Sequence, residues 1–287
     1  MAENIHSLKR RIKSAGNIAQ IAKAMEMISA SKIKKAQYAV ENNKPYSLKI
    51  SEIVNKAISS TDPDKIDHPY LKTNNSDKSL LIVFAPDKGL CGSLPANLMK
   101  QFINSLDKKT IIITVGKKIE KFASKNGEVI ASFHMGTSLP SYSMIFPLIN
   151  TINQYYLNGE IKDVNIVFTE FKSIFSYLPT TKLILPLTIN KEESSNLEKG
   201  QNFSVKYKFE PDAKQILDDL LPYYLEIELY HYILEAYTSE QAARMVAMQN
   251  AKNNALDIAD FLTLTYNKAR QAKITNELLD LSNIQYI

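Results

Sequence analysis

The sequence predicts an α/β domain inserted between two long terminal helices that pair as an antiparallel coiled coil. Three observations lead to this prediction. The C-terminal stretch Tyr223–Ile287 holds neither glycine nor proline, the N-terminal stretch has the same helical period, and strand and helix patterns alternate between them. That alternation is typical of a doubly wound, Rossmann-like domain with a mainly parallel sheet.

The C-terminal stretch carries an apolar stripe with alternating spacings of three and four residues. Gln241 and Arg244 interrupt the stripe, which otherwise continues past four heptads, as in a coiled-coil helix. At about 1.5 Å per residue this helix would be roughly 100 Å long, so it needs a partner helix to bury its stripe. We expect it to begin at Pro211 or Asp212 and to kink or restart at Pro222. The stripe comprises Leu220, Tyr223, Ile227, Tyr230, Leu234, Tyr237, Met248, Ala251, Ala255, Ile258, Leu262, Thr265, Ala269, Ala272 and Leu279.

The N-terminal stretch supplies the partner, a helix predicted over roughly residues 3–57 with a kink at Pro45. Its first stripe contains small residues, which permit close approach of the second helix. An adjacent second stripe makes the apolar face broader than a two-stranded seam uses, so it predicts a further contact. The first stripe comprises Ile5, Leu8, Ile12, Ala15, Ala19, Ala22, Ile33, Ala36 and Val40, and the second Ile18, Ile21, Met25 and Ile28.

The two ends of the chain carry opposite charge. Residues 1–57 hold 11 Lys/Arg and 4 Asp/Glu, a balance of +7, whereas residues 212–287 hold 6 and 11, a balance of −5. Two helices that lie along each other favour such opposition. Two separately solvated faces would give the same pattern, so charge alone leaves both interpretations open.

Between the helices, the predicted domain bounds are a connector over 58–78 and an α/β domain over 79–210, flanked by helices over 1–57 and 211–287. The strands are predicted as continuous apolar runs between turn residues. They are Leu80–Ala85, Thr110–Val115, Glu128–Phe133, Val164–Phe171 and Thr180–Leu187, with helices at Ser93–Leu106, Lys117–Ser124 and Met144–Leu157. Asn190–Asn202 is predicted as a loop and Phe203–Phe209 as an edge strand.

Composition excludes several classes of protein. An apolar content of 45% with 23% charged residues is that of a folded domain. No apolar run approaches the roughly 20 residues of a membrane span, and the basic N-terminus lacks a secretory segment. The single cysteine, Cys91, and four scattered histidines offer neither a disulfide nor a metal cluster. We therefore expect a cytoplasmic protein with no metal and no cofactor.

The strongest candidate for chemistry is the turn Ala85–Ser93. Gly89 and Gly92 lie here between a predicted strand and a predicted helix, where dinucleotide-binding folds cradle phosphate. The third glycine of that fingerprint and the lysine–hydroxyl pair of a P-loop are missing, and nothing marks Cys91 as a nucleophile. Two alternatives stay open: a nucleotide-binding α/β protein that uses this turn, and a basic coiled coil that binds nucleic acid. The acidic C-terminal helix argues against the second.

Four stretches resemble the γ subunit of F-type ATP synthases. IAKAMEMISASKIKKAQ, from Ile21 to Gln37, resembles the family's N-terminal helix, and DKGLCG, from Asp87 to Gly92, resembles the turn after its first strand. SEQAARMVAMQNA from Ser239 and YNKARQAKITNEL from Tyr266 resemble its C-terminal helix. The resemblance runs the length of the chain and implies the architecture that the periodicity predicts.

The resemblance implies a central rotor shaft without a catalytic site of its own. The coiled coil would lie inside the hexamer of α and β subunits. The globular part, with the ε subunit, would stand on the membrane c-ring. Proton or sodium flow would turn ring and shaft together and drive the β subunits through the states that make or hydrolyse ATP. The implied location is peripheral, on the cytoplasmic face of the plasma membrane, with no membrane span and no nucleic-acid partner.

The resemblance also assigns partner contacts. Arg270 and Gln271 match positions that hydrogen-bond a catch loop of β, where a guanidinium can fork onto a carboxylate. Five lysines match positions that present cations to an acidic lever of β, although a single surface lysine contributes little. They are Lys32, Lys34, Lys35, Lys88 and Lys100. Lys88 stands where the family has arginine, and the bulky tip Leu281–Ile287 departs from the family's glycine-rich ending.

Overall fold

A computed structural model describes residues 5–59, 68–187 and 213–284. The chain divides into two compact units, a helical unit of Met1–Ser31 with Arg244–Ile287 and a sheet unit of Lys32–Ala243. Each long helix contributes to both units: α1 spans Ile5–Ser59 and α5 spans Ala213–Ile284. The division falls inside both helices and does not test the predicted bounds at residues 57, 78 and 210. The predicted loop 190–202 and edge strand 203–209 lie outside the described residues.

In the helical unit, α1 and α5 run antiparallel. The α1 chain leaves this unit at Ser31, whereas the α5 chain enters it at Arg244, so the two segments run in opposite directions. Glu26 of α1 and Lys252 of α5 form an ion pair at 2.8 Å across the seam. The buried seam confirms the small-residue stripe and its partner, and its fully buried apolar members are Leu8, Ala15, Ala19, Ala22, Met248, Ala255 and Leu262.

The seam differs from the predicted stripe in one internal position and at its end. Ile258 is 53% exposed, so its placement in the seam is wrong. The seam steps from Ala255 to the half-buried Ala259, which puts Ile258 one position off the buried face. Ala272 and Leu279 are also exposed. Antiparallel helices paired at Glu26 and Lys252 place Ile5, the first residue of α1, level with about residue 273 of α5. The end of α5 therefore has no described α1 residue beside it.

Both long helices continue through their internal prolines, Pro45 and Pro222. Of the two predicted outcomes at Pro222, a kink or a restart, the restart is wrong, because nine residues of helix precede it. An internal proline costs a helix about 3 kcal/mol, because a backbone donor is lost and the ring clashes with the preceding turn; tertiary packing of the helix offsets this cost. Tyr223 is also misplaced in the predicted core, since it is exposed at 36% and contacts Tyr46 instead.

The sheet unit contains five strands in the order β3-β2-β1-β4-β5. They are β1 Ser79–Phe84, β2 Thr110–Val115, β3 Glu128–Phe133, β4 Asp163–Ser173 and β5 Ser176–Leu185. The first four are parallel and β5 is antiparallel, which confirms a mainly parallel sheet. The prediction placed this strand at Thr180–Leu187, so it began four residues late and ended two residues late; Pro179 lies inside the observed strand. A proline is tolerated there because β5 is an edge strand.

Both faces of the sheet are covered, as in a doubly wound fold. Between the strands lie α2 Leu94–Asn104, α3 Lys117–Asn126 and α4 Ile145–Leu157. Alternate residues of β1 face opposite cores: Leu81 and Val83 pack in the core that contains α2 and α3, whereas Leu80 and Ile82 pack in the core that contains α4, α5 and the end of α1. The continuous apolar run in β1 is thereby explained. Within the described residues, no helix has the length and apolarity required to cross a membrane.

Candidate functional site

The turn after β1 is held by a carboxylate from its own sequence. Asp87 accepts a hydrogen bond from the backbone N–H of Lys117 at 2.9 Å and another from that of Gly136 at 2.5 Å. The Lys117 donor belongs to the N-terminus of α3, which favours a negative charge. Leu90 adopts a positive φ of 64°, an uncommon backbone conformation for a bulky residue. The turn is therefore tied by its own carboxylate to the start of α3 and to the loop after β3.

The usual ligand crevice of this fold is filled by α5. In an open α/β sheet, ligands bind beyond the carboxyl ends of the strands where the strand order reverses, which is between β1 and β4 here. At that edge the Ser239 hydroxyl of α5 donates to the Thr169 carbonyl of β4 at 3.0 Å. Cys91 packs with Ala243 of α5 in the same small apolar cluster. This arrangement does not favour the nucleotide-binding alternative.

The structure places Arg270 and Gln271 on the exposed surface of α5 in the helical unit. Gln271 lies nearly opposite the buried seam and Arg270 flanks it. The Thr275 hydroxyl, one turn later, donates to the Gln271 carbonyl at 2.9 Å and stays within the helix. In the described parts of the chain, nothing forms an ion pair with the Arg270 guanidinium. Both side chains are thus presented outward.

The five candidate lysines belong to the sheet unit but do not form a single cluster. Lys34 and Lys35 are exposed on α1, and Lys88 is exposed in the turn after β1. The Lys32 ammonium donates to the Thr137 carbonyl of the loop after β3. Lys100 lies on the face of α2 opposite the buried Leu98 and Phe102, and no described contact joins it to the other four.

Two sets of polar residues were missed by sequence reasoning. Asp87 was part of a recognised motif, yet its role as an acceptor for two backbone donors depends on residues 30 and 49 positions away. The α5 segment Thr238–Gln241 is fully buried, although its residues are polar. The interruption of the apolar stripe at Gln241 was the available signal that this part of the helix has a different environment.

Comparison with known proteins identifies the family. A family model described as ATP synthase matches residues 4–283. The ATP synthase gamma chain of Dehalococcoides mccartyi (strain CBDB1) is 39% identical over 282 residues, which cover 97% of this chain and 96% of that protein. The gamma chain of Brevibacillus brevis is 35% identical over 288 residues, with 98% and 97% covered.

Solved structures share the fold. A chain of the Euglena gracilis mitochondrial ATP synthase (OSCP/F1/c-ring, rotational state 3) superimposes with a TM-score of 0.67 at 17% identity and covers 98% of this chain and 93% of its own. A chain of the Tetrahymena thermophila mitochondrial ATP synthase central stalk and c-ring gives 0.58 at 23% identity, with 80% and 99% covered. The near-complete family match and the 39% identity to a gamma chain show that the chain belongs to the ATP synthase gamma-chain family.

Proposed function

We propose that this chain is the central rotor shaft of an F-type ATP synthase, with no catalytic site of its own. It couples ion-driven rotation of the membrane c-ring to ATP synthesis or hydrolysis at the β subunits of an α/β hexamer. Its sheet unit, together with an ε subunit, stands on the ring. The protein is peripheral, at the cytoplasmic face of the plasma membrane.

The outer surface of the paired helices is the observation that carries this proposal. Ile21 of the second α1 stripe is 62% exposed, and Phe261 of α5 is 68% exposed. Other apolar side chains of the helical unit are exposed with them, namely Ile18, Ile28, Leu256, Leu264 and Ile274. Extensive exposed apolar surface on a soluble protein marks a contact with another protein. Exposed apolar side chains on both helices suit a shaft that is enclosed by other subunits.

Arg270 and Gln271 are proposed to contact a catch loop of β. An outward guanidinium can form a bidentate pair with a carboxylate, and the neighbouring amide can both donate and accept. The candidate lysines are proposed to face an acidic lever of β, with Lys34, Lys35, Lys88 and Lys100 exposed for such contacts. Lys32 is the weakest of the five because its ammonium already binds the Thr137 carbonyl.

Reconstitution tests the function as a whole. The purified chain is added to α and β subunits from which the native shaft has been removed, and ATP hydrolysis is measured. We expect the chain to restore hydrolysis and to co-purify with α, β and ε subunits from solubilised membranes. A chain that folds yet restores no hydrolysis would contradict the proposal.

The double variant Arg270→Ala, Gln271→Ala tests the catch. Loss of a charge-assisted hydrogen bond costs about 1.5–3 kcal/mol, so turnover by the assembled complex should fall by roughly tenfold or more if the catch acts in the rate-limiting rotation. Lys273→Ala, on the same exposed turn, removes a loose ion pair with Glu277 at 3.6 Å and serves as the control. Normal turnover in the double variant would remove both residues from the site.

A further inference from the structure

Residues 134–144 connect β3 to α4, and the connection ends in a short 3-10 turn, Tyr142–Met144. Its residues His134–Tyr142, which we name the linking loop, are bound to different parts of the sheet unit. Its first half is fixed to the sheet edge by the Gly136 N–H, which donates to Asp87 at 2.5 Å. The Asp87 side chain is only 8% exposed, so water competes weakly for this bond. Met135, between the strand and this bond, is buried. The loop therefore follows the sheet edge.

The second half of the linking loop is bound to α5 by three hydrogen bonds. The Tyr237 hydroxyl donates to the Thr137 carbonyl at 3.4 Å, and the Tyr230 hydroxyl donates to the Pro140 carbonyl at 3.3 Å. The Tyr142 hydroxyl of the loop donates to the Glu226 carboxylate at 2.7 Å. Glu226, Tyr230 and Tyr237 share one face of α5 over about three turns.

Ring packing and electrostatics support the same contact. The rings of Tyr142 and Tyr230 meet edge to face with centroids 5.4 Å apart. Burial, followed by the hydrogen bond to Glu226, raises the pKa of Tyr142 above its ordinary value, so its hydroxyl stays a donor into the alkaline range. The loop also reaches α1, because the Lys32 ammonium donates to the Thr137 carbonyl that accepts from Tyr237. One carbonyl thus receives donors from both long helices.

We propose that the linking loop fixes the rotational setting of α5 and α1 against the sheet, with Asp87, Tyr142, Tyr230 and Tyr237 as positioning residues. Apolar packing resists separation, sliding and axial rotation of a helix on a sheet, but it is non-directional and specifies no partner atoms. Hydrogen bonds require defined distances and angles, so they oppose those motions directly. This inference rests on the proposed rotor function, in which torque acts on these helices.

Hydrogen exchange on the full chain tests the locking without any partner. The triple variant Tyr142→Phe, Tyr230→Phe, Tyr237→Phe removes three hydroxyls and keeps the rings. Two of these bonds are neutral and contribute about 1 kcal/mol each, whereas the bond to the Glu226 carboxylate contributes about 1.5–3 kcal/mol. Exchange in residues 135–142 should therefore be at least about fivefold faster for each bond lost. Tyr155→Phe is the matched control, since none of the described residues hydrogen-bonds its hydroxyl. Asp87→Asn should also speed exchange of these amides. Both Asp87 oxygens accept from backbone N–H groups, and the NH₂ of asparagine would face one of those donors without being able to accept from it. Unchanged exchange would overturn the proposal.

The stiffness of the rotor in the assembled complex tests whether these hydrogen bonds resist torque. A bead is attached through Lys125→Cys on the exposed surface of α3, where labelling is selective because Cys91 is buried. With the hexamer held on a surface, the angular variance of the bead should rise in the triple variant and not in Tyr155→Phe, while ATP hydrolysis persists in both. Faster exchange with unchanged variance would overturn the mechanical role. If the unaltered chain restored no hydrolysis, the rotor function would fail, and the exchange result would still decide the locking.

Discussion

The small residues in the buried seam of the helical unit lead to a specific prediction about Ala22. This residue is 4% exposed between α1 and α5, four positions before the Glu26–Lys252 pair. Replacement by leucine adds three carbon atoms where the two helices approach closely. Overpacking of this kind costs about 1–3 kcal/mol, because the helices must separate or a side chain must leave its preferred rotamer. Ala24→Leu is the matched control: it makes the same change on the exposed face of the same helix, where substitutions stay within about 0.5 kcal/mol.

Hydrogen exchange suits this prediction because a chain of two compact units need not unfold in one step. Amides of residues 15–29 and 248–262 are followed in the full chain. A loss of 1–3 kcal/mol corresponds to exchange that is about 5- to 150-fold faster at these amides. Amides of the sheet unit serve as an internal reference. Equal exchange rates in Ala22→Leu and Ala24→Leu would refute the reasoning, since a seam able to accept leucine would not be closely packed.

Two further predictions concern the sheet unit. Gly116→Ala should destabilise this unit by about 3 kcal/mol or more in thermal unfolding, because φ is +114° and a Cβ would meet the Ala85 carbonyl oxygen at 1.9 Å. Gly159→Ala is the control: φ is +75°, but the space around a Cβ is open, so the expected cost is only about 1–2 kcal/mol. Tyr46→Phe should lower the pKa of Tyr223, which the hydroxyl contact at 2.5 Å raises to about 12, toward its ordinary value of 10, as phenolate absorbance would show. A raised pKa means that stability from this pair is full below pH 10 and is lost as pH rises through about 12.

The strands were predictable because their environment is encoded locally. β1 is buried on both faces, so its residues form a continuous apolar run whatever lies beyond the sheet. Apart from Ile258 and the end of α5, the predicted seam held in the helical unit for a similar reason, since among the described residues each helix there packs against one other helix. In the sheet unit the same stripe of α5 predicted only part of the burial: Ile227, Leu234 and Tyr237 are buried, but so are neighbours outside the stripe. Ile233 and Leu234 are both buried there because strands and loops surround the helix, and periodicity describes only one partner.

The contact sites were less predictable, for two different physical reasons. Arg270 is exposed and forms no ion pair with a described residue, so only resemblance to a family could single it out. The linking loop depends on contacts between residues far apart in sequence, such as Tyr142 with Glu226, 84 positions away. A tyrosine in a loop has no local pattern that indicates its acceptor. Such bonds follow from the tertiary fold.

The carboxyl edge of the sheet shows how a fold common among ligand-binding proteins can serve a mechanical role. An exposed helix N-terminus beside a strand end ordinarily favours a bound anion such as phosphate. Here the Asp87 carboxylate is that anion, because it accepts from Lys117 at the start of α3 and from Gly136 in the linking loop. The crevice beside it is filled by α5, which bonds to the sheet through Ser239. The edge that would bind a ligand therefore binds other parts of the chain, and the fold acquires its role from those contacts.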